Sequence, residues 1–251
     1  PAGAAMTADS PPTSPEDLAR TLPDTAGWVD IRGLLLSGRC RLHSDAGGQA
    51  ARSTRTPLAA AVGRPSPATL GQALQGGGSD LRLLARPEDA VAVAAALAAC
   101  QPGWTTGGAI LHRLPPGAEL SRPTEGVRLL GPEDGGLVAR LPAGLREEIT
   151  EALTFAPTAA ALVDGRIAAV CYAALETETL WDISIDTVAE LRRRGLAARA
   201  VAFLARVMKE RGKQPVWGAE ESNAASLALA AKLGFEPVDR LAVFAPPGPA
   251  G

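Results

Sequence analysis

The order of hydrophobic and polar positions divides the chain into short apolar runs and longer stretches with helical spacing. In one stretch, apolar residues recur every four positions, at Leu196, Ala200, Leu204 and Met208. Residues spaced by four lie on one face of an α-helix, so this stretch predicts a helix with one buried side. Residues 180–186, just before it, are rich in branched side chains, which favours a β-strand.

The C-terminal half continues this pattern as an ordered series of strands and helices. Predicted strands cover residues 127–130, 158–163, 166–174, 180–186, 215–218 and 235–244, and predicted helices cover residues 134–140, 144–155, 196–208 and 223–233. Asp164 and Gly165 lie between two of the apolar runs and favour a tight hairpin there. The series is therefore strand, two helices, three strands, helix, strand, helix and a last strand or strand pair.

The N-terminal half, residues 14–114, is predicted to be a separate α/β domain, because strand and helix patterns alternate along it. A stretch rich in Pro, Gly and acid at 115–125 predicts a linker. Residues 126–251 then form the second domain. Residues 1–13 are small, polar and Pro-rich, which predicts a disordered tail or an expression remnant.

Composition narrows the class of protein. The 251 residues carry a net charge of -2, which argues against a protein built mainly for nucleic acid or anionic membranes. No run of about 18 apolar residues occurs, so no membrane span is predicted. Cys40, Cys100 and Cys171 form no CxxC pair, and His43 and His112 lie in no metal-ligand spacing. We therefore expect reduced thiols, a cytoplasmic location and no bound metal.

A basic turn, formed by Arg192, Arg193, Arg194 and Gly195, separates the predicted strand at 180–186 from the helix that follows. The first N–H groups of a helix have no partner within the helix, and the helix dipole adds partial positive charge there. Arginine side chains add further charge and forked donors. Such a strand–turn–helix unit can hold a diphosphate. The arginines also fit a plain solvated charge run.

Two sequence motifs lie on this turn and on a later helix. Residues 192–197, RRRGLA, match the pattern Q/R-x-x-G-x-G/A, and about 30 residues later Asn223 opens a helix that stops at the Leu-Gly-Phe of 233–235. Both motifs, and the order of elements over 127–244, resemble the GNAT superfamily of acyl-CoA N-acyltransferases. More narrowly, the sequence resembles a bacterial branch that carries an extra N-terminal domain.

The resemblance implies a fold and a set of ligands. The expected fold class is α/β (α+β), a mixed and mostly antiparallel central sheet flanked by helices, preceded by a smaller α/β domain. The expected acyl donor is acetyl-CoA, which acts as a substrate, and no metal is implied. The expected partners are this acyl-CoA and an amine acceptor, with no nucleic acid or membrane, in a monomer or homodimer.

The resemblance also assigns binding roles to residues of this chain. Backbone N–H groups of 193–197 would hold the CoA diphosphate, and the strand end at 185–187 would align the pantetheine arm. Residues of the Asn-led helix would approach CoA from the other side of the cleft. The expected CoA-binding residues are Ile185, Asp186, Thr187, Arg192, Arg193, Arg194, Gly195, Leu196, Ala197, Asn223 and Ser226. Asn223 also fits a plain helix cap, and Ser226 also fits a structural role.

The implied reaction is direct attack of an amine on the thioester, and it needs a base because an alkyl ammonium has a pKa of about 10. The chain departs from the superfamily here: a common Glu on the fifth strand is Gly218, and a common Tyr is Ala230. Asp182, Glu220 and Glu221 are alternative candidates for the catalytic base. Asp182 lies in an apolar run, where burial raises a carboxyl pKa. Glu220 and Glu221 also fit as acids at a helix N-terminus.

The sequence therefore leaves two functions open. The first is an N-acyltransferase that moves an acyl group, expected to be acetyl, from acyl-CoA to an amine. The second is a catalytically impaired module that binds acyl-CoA as a sensor, which the replaced Glu and Tyr would explain.

Overall fold

The structure, a computed structural model, describes residues 14–247. The predicted tail at 1–13 lies outside the described residues. The described chain forms two compact units. Unit 1 contains residues 14–23, 34–106 and 242–247, and unit 2 contains residues 24–33 and 107–241.

The described elements are eight α-helices and eleven β-strands, with short 3-10 turns between some of them. The helices are α1 (Pro15–Thr21), α2 (Val29–Leu36), α3 (Pro67–Leu74), α4 (Ala90–Cys100), α5 (Gly135–Val138), α6 (Ala143–Ala152), α7 (Leu196–Glu210) and α8 (Ala224–Lys232). The strands are β1 (Cys40–Ser44), β2 (Gly48–Ser53), β3 (Leu58–Gly63), β4 (Arg82–Ala85), β5 (Thr105–Arg113), β6 (Val127–Leu129), β7 (Thr158–Val163), β8 (Arg166–Glu176), β9 (Leu180–Thr187), β10 (Gln214–Glu220) and β11 (Glu236–Ala245).

Unit 1 contains a sheet in the order β1-β2-β3-β4-β11. Its neighbours are antiparallel, except β3 and β4, which are parallel and joined through α3. Apolar side chains of α3, α4 and the sheet meet in one core, with Leu70, Leu83, Leu97 and Phe244 fully buried. Small alanines fill much of the remaining core, which lets helices and sheet approach closely.

Unit 2 contains a sheet in the order β5-β10-β9-β8-β7-β6. Only β9 and β10 are parallel, and the other neighbours are antiparallel. Successive side chains of a strand point to opposite faces, so each strand contributes to two cores. Trp181 and Ile183 pack with Leu204 of α7 on one face, whereas Val170 packs with Ile149 of α6 on the other.

The N-terminal and C-terminal halves of the chain repeat one succession of elements. In the N-terminal half it is β2, β3, α3, β4, α4 and β5, and in the C-terminal half it is β8, β9, α7, β10, α8 and β11. In each half the first two strands are antiparallel and the next pair is parallel. Residues 107–113 of β5 nevertheless belong to unit 2, and residues 242–245 of β11 belong to unit 1. Each half therefore supplies the last strand of the other unit.

The predicted fold class, a mixed and mostly antiparallel sheet flanked by helices, is confirmed. The structure adds β2, which the sequence pattern missed because Gly48–Ser53 contains no β-branched residue. The units also differ from the predicted domain boundaries, since residues 24–33 belong to unit 2. The predicted linker, residues 115–125, lies within unit 2, where the Lys209 ammonium is 2.5 Å from the Glu119 carboxylate.

No helix among residues 14–247 combines the length and the apolar character that a membrane span requires.

Candidate functional site

Two parallel strands part in the middle of unit 2. Pairing between β9 and β10 runs from Leu180 with Gln214 to Asp182 with Val216. Beyond that point β9 still pairs with β8, and β10 still pairs with β5. Residues 183–187 and 217–220 therefore diverge from each other. Strand edges that face each other without pairing leave a gap whose backbone groups can bind a ligand.

The turn after β9 brings a helix N-terminus to this end of the sheet. Gly195 precedes α7 with φ of 76°, a left-handed conformation that costs glycine nothing. A Cβ at Gly195 would meet no atom within 4 Å, so the space in front of the helix is open. No side chain caps α7, and its first bonded N–H is that of Arg199, which donates to the Gly195 carbonyl at 3.2 Å.

The three arginines surround this helix start and are exposed. Arg192 Nε donates to the Thr187 carbonyl at 3.3 Å, which ties the turn to the end of β9. Arg193 has φ of 61°, a strained conformation for a residue with a side chain. Leu196 is buried in the core below and anchors the first turn of α7. Uncapped N–H groups, a helix dipole and three guanidinium groups together suit a bound anion.

The other predicted CoA-binding residues lie on both sides of the gap. On β9, Ile185 packs against the α7 core, while Asp186 lies on the opposite face of the strand. Burial and the negative charge of Glu148 raise the pKa of Asp186 to about 6, and Arg192 partly offsets this. Asp186 is therefore the acid nearest to the arginine turn along β9.

On the other side, Asn223 is the cap of α8, and its side-chain oxygen accepts from the Ser226 N–H at 3.1 Å. The helix-cap role is therefore present, and the exposed Asn223 stands at the end of the turn after β10. The Ser226 hydroxyl accepts from the indole N–H of Trp217 at 2.9 Å. Because Trp217 is a core residue, this bond gives Ser226 a structural task.

The three candidate bases have different surroundings. Asp182 lies at the last pair of β9 and β10, on the face opposite Ile183. Glu220 is exposed at the end of β10. Glu221 follows it and forms an ion pair with Arg240. Of the three, Asp182 alone stands where the strands begin to part.

The two departures from the superfamily pattern have visible causes. A Cβ at Gly218 would lie 3.3 Å from Leu111 and 3.5 Å from Oδ1 of Asp182, so the space for a longer side chain is taken. Ala230 is fully buried in the core beside α7, where a tyrosine would overpack it. Either of the common residues would therefore have to displace neighbouring side chains.

Two acidic groups near this face escaped the sequence analysis. Asp30 of α2 lies close enough to Gly218 that the added Cβ would be 4.0 Å from its Oδ2. Glu148 of α6 accepts from the Tyr172 hydroxyl at 2.9 Å. Asp30 is about 150 residues from Asp182 and sits in an apolar helix, so no sequence spacing connects the two.

Residues 14–247 contain no group of three or more His, Cys, Asp or Glu that could hold a metal ion.

Comparison with known proteins places these features in a class. The chain resembles a putative GNAT-family acetyltransferase of Novosphingobium aromaticivorans, with 22% identity, a TM-score of 0.61, and coverage of 88% of this chain and 96% of the other. A GCN5-related N-acetyltransferase-like protein of Streptococcus suis gives 18% identity, a TM-score of 0.66, and coverage of 91% and 95%. A tandem GNAT protein from the clavulanic acid biosynthesis pathway gives 18% identity, a TM-score of 0.54, and coverage of 93% of both chains. The chain thus has the fold of GNAT acetyltransferases.

A family model described as GNAT acetyltransferase matches residues 158–244. This segment includes the arginine turn and the Asn-led helix. The resemblance to the GNAT superfamily that these two motifs predicted is confirmed, with the family model matching over residues 158–244. A search of curated proteins gave no match.

Proposed function

We propose that the protein is an acyl-CoA-dependent N-acyltransferase with its acyl-CoA site in unit 2. The observation that carries this proposal is the uncapped N-terminus of α7 beside three exposed arginines. It faces open space at Gly195, at the end of a strand that diverges from its neighbour. The family match over the same segment supports CoA as the anion.

In this proposal, three parts of acyl-CoA bind at three places in the site. The diphosphate lies at the N–H groups of 195–197, where the helix dipole and the arginines offset its charge. The pantetheine arm runs along the unpaired edge of residues 183–187, whose backbone groups replace the missing strand partner. The thioester then reaches the point where β9 and β10 part, beside Asp182.

Acetyl-CoA is the donor that we propose, with an amine as acceptor. The nitrogen attacks the thioester carbonyl, a C–N bond forms, the C–S bond breaks, and CoA leaves as a thiolate. A thiol with a pKa of about 8.5 is a tolerable leaving group without full protonation. The enzyme can therefore act without a tyrosine at position 230, but the amine must still lose a proton.

Ligand-induced thermal stabilisation tests the binding half of this proposal. Acetyl-CoA at about 100 times its dissociation constant should add about 2.7 kcal/mol, which raises the melting temperature by roughly 5–11 °C. Adenosine lacks the diphosphate and serves as the control, and it should cause little change. If acetyl-CoA, propionyl-CoA and longer acyl-CoAs all leave the melting temperature unchanged, the proposal is wrong.

Release of free thiol across a panel of amines tests the chemical half. The panel should contain simple alkyl amines, amino acids, amino sugars and short peptides. Thiol release above the hydrolysis rate of acetyl-CoA is expected with at least one class. Tight binding without thiol release would instead favour a CoA-binding sensor, the function that the replacements at Gly218 and Ala230 motivate.

A further inference from the structure

The start of α2 is fixed against the turn between β8 and β9. Arg32 forms two hydrogen bonds with Glu178, from Nε at 2.8 Å and from Nη2 at 2.6 Å. Asp24 accepts from the Thr177 hydroxyl at 2.6 Å and from the Thr179 N–H at 3.0 Å. These bonds join a short N-terminal segment to residues about 150 positions later.

Gly33 lets α2 lie close to the end of β8. A Cβ at Gly33 would lie 2.8 Å from Cβ of Leu175, a distance that real side chains do not tolerate. The helix and the end of β8 are therefore in direct backbone-level contact, and Asp30, one turn earlier, is held near β9. This approach places a second carboxyl beside Asp182.

The two carboxyls meet over Gly218. A Cβ built there would lie 3.5 Å from Oδ1 of Asp182 and 4.0 Å from Oδ2 of Asp30. Oδ1 of Asp182 is buried and has no hydrogen-bond donor among the described residues. The backbone N–H groups of Ile183 and Gly218 lie beside the Asp182 carboxyl and lower its pKa, which only partly offsets the effect of burial. One carboxyl that carries a proton can donate to the other, which would satisfy the orphaned oxygen.

The electrostatics agree with a shared proton. Burial raises the pKa of Asp30 to about 6, and the neighbouring Asp182 carboxyl partly offsets this. Burial and the negative charge of Asp30 raise the pKa of Asp182 well above its ordinary value. Two carboxyls this close cannot both ionise easily, so the pair loses its protons in two steps.

Other titratable groups near the pair come from the neighbouring strand. Cys171 and Tyr172 of β8 both have raised pKa values, mainly because they are buried, so both remain protonated at neutral pH. Tyr172 in turn faces Glu148 of α6, through its hydroxyl. Asp186 lies further along β9, towards Arg192. The Asp30–Asp182 pair is therefore the group that titrates where β9 and β10 begin to part.

We propose that Asp30 and Asp182 share one proton and that this pair takes the proton of the incoming amine. In the reactive state the pair carries one proton and one negative charge. It accepts a proton from the ammonium, the neutral amine attacks the thioester carbon, and the C–S bond breaks. The amide nitrogen then loses its second proton to the CoA thiolate. Asp182, which lies where β9 and β10 part, is the catalytic residue. Asp30 is a positioning residue: when the shared proton sits on Asp30, Asp182 is the ionised partner that accepts the proton of the ammonium.

This proposal rests on the proposed function for its chemistry, but its first test needs no substrate. In the 15N-labelled full chain, the amide resonance of Gly218 should follow the ionisation of Asp182, because Gly218 lies directly beside that carboxyl. Two titration steps are expected in the wild type. In Asp30→Asn the two steps should merge into one that lies between them. A single step that is the same in both proteins would overturn the shared proton.

The second test measures turnover with acetyl-CoA and the best amine of the panel from pH 5 to pH 10. Asp182→Asn should lower turnover by about 10²-fold or more, the usual contribution of a positioned base. Asp30→Asn should lower it less and should change the pH profile as it changes the titration. Glu147→Gln, which removes an exposed charge from α6, is the matched control and should change neither.

Acetyl-CoA affinity separates the two proposals. It should stay within about threefold of the wild type in both Asp variants, which also shows that they fold. If the wild type binds no acyl-CoA, the proposed function fails while the Gly218 titration still decides the proton sharing. If the wild type binds acetyl-CoA and Asp182→Asn keeps its turnover, or no amine is acylated at all, the pair is not the base.

Discussion

Helices α3 and α7 each follow a strand in the same topological position, but only α3 has side chains that accept from its first N–H groups. In unit 1, the helix after β3 begins at Pro67, with Ser66 as its cap; the Ser66 hydroxyl accepts from the Thr69 N–H at 3.3 Å. The carboxylate of Asp45 also lies there and accepts from the Ser66 N–H at 2.8 Å and from the Thr69 hydroxyl at 2.5 Å. In unit 2, the helix after β9 has Gly195 in place of a cap.

In unit 1 the chain supplies the anion at the helix start itself, whereas at α7 we propose that the anion is a bound ligand. Asp45 is held by four groups, since its other oxygen accepts from the N–H groups of Gly47 and Gly48. These hydrogen bonds, from Thr69 and Ser66 foremost, hold the pKa of Asp45 well below its ordinary value. The α7 start has basic side chains and open space instead. One topology thus carries its own capping anion in unit 1 and leaves an uncapped basic helix start in unit 2, where we propose that acyl-CoA binds.

The largest expected effect comes from making the second helix start resemble the first. Gly195→Asp places a carboxylate in front of α7, where it competes with the CoA diphosphate and repels it. Repulsion between charges a few ångströms apart near a protein surface is about 3 kcal/mol, so acetyl-CoA affinity should fall about 100-fold. Calorimetric titration with acetyl-CoA measures the change.

Gly212 offers a matched control for this substitution. It follows the other end of α7 with φ of 75°, and a Cβ there also meets no atom within 4 Å. Gly212→Asp therefore introduces the same backbone strain and the same charge away from the arginine turn. Its affinity should stay near that of the wild type, and an equal loss in both variants would refute the placement of the diphosphate.

Removing the internal anion of unit 1 should affect stability rather than binding. Asp45→Asn loses the charge that the four donors surround, which should cost about 2 kcal/mol of unfolding free energy. Thermal or urea unfolding measures this loss, and Asp80→Asn, an exposed acid in the same unit, is the control. Affinity for acetyl-CoA should not change. A variant that is as stable as the wild type would contradict the capping role of Asp45.

The difference in unfolding free energy between the wild type and Asp45→Asn should depend on pH. The folded-state pKa of Asp45 is below the unfolded value near 3.8, so its contribution is fully present above that value. As the pH falls through the lowered pKa, the contribution disappears. The stability difference between wild type and Asp45→Asn should therefore be constant above about pH 5 and shrink in acid. A difference that persists unchanged to pH 2 would exclude the charge as its cause.

A smaller effect is expected from the strained arginine. Arg193→Gly removes a left-handed conformation that costs a side chain about 1 kcal/mol, so the variant should be more stable by roughly that amount. It also removes one charge and should weaken acetyl-CoA binding several-fold. Arg194→Gly is the control, because Arg194 has no positive φ and should lose affinity without gaining stability. If both variants change equally in stability, the left-handed conformation of Arg193 does not destabilise the protein.

The smallest expected effect is that of salt on binding. The arginines are exposed, so their attraction for CoA is screened over about 8 Å at physiological ionic strength. Acetyl-CoA affinity should fall several-fold between about 50 mM and 500 mM NaCl. Replacing Arg192 with Gln should reduce this salt dependence. An affinity that is independent of salt would mean that the arginines do not contact the ligand.

Local signals in the sequence were sufficient for the elements around the candidate site. The four-residue spacing in α7, the hairpin at Asp164 and Gly165, and the cap at Asn223 each depend on neighbours within a few positions. Both hairpin residues have positive φ, as a tight turn requires. Prediction worked here because the same short stretch carries the pattern and forms the structure.

Long-range features could not be predicted in this way. Asp30 and Asp182 meet because Gly33, Arg32 and Asp24 bring α2 to the end of β8. Nothing in the helix itself indicates this, since its other residues are mostly apolar. The strand exchange between the halves is equally hidden, because β5 and β11 have ordinary strand patterns whichever unit they complete.

Hydrogen–deuterium exchange with and without saturating acetyl-CoA compares the two helix starts in one measurement on the unmodified protein. We expect slower exchange in peptides that cover residues 183–199, because in our proposal CoA accepts hydrogen bonds from the N–H groups at the start of α7 and along the edge of β9. Peptides that cover residues 45–70 should exchange at the same rate in both samples, since Asp45 already occupies that helix start. Protection at 45–70, or none at 183–199, would contradict the assignment of the acyl-CoA site to unit 2.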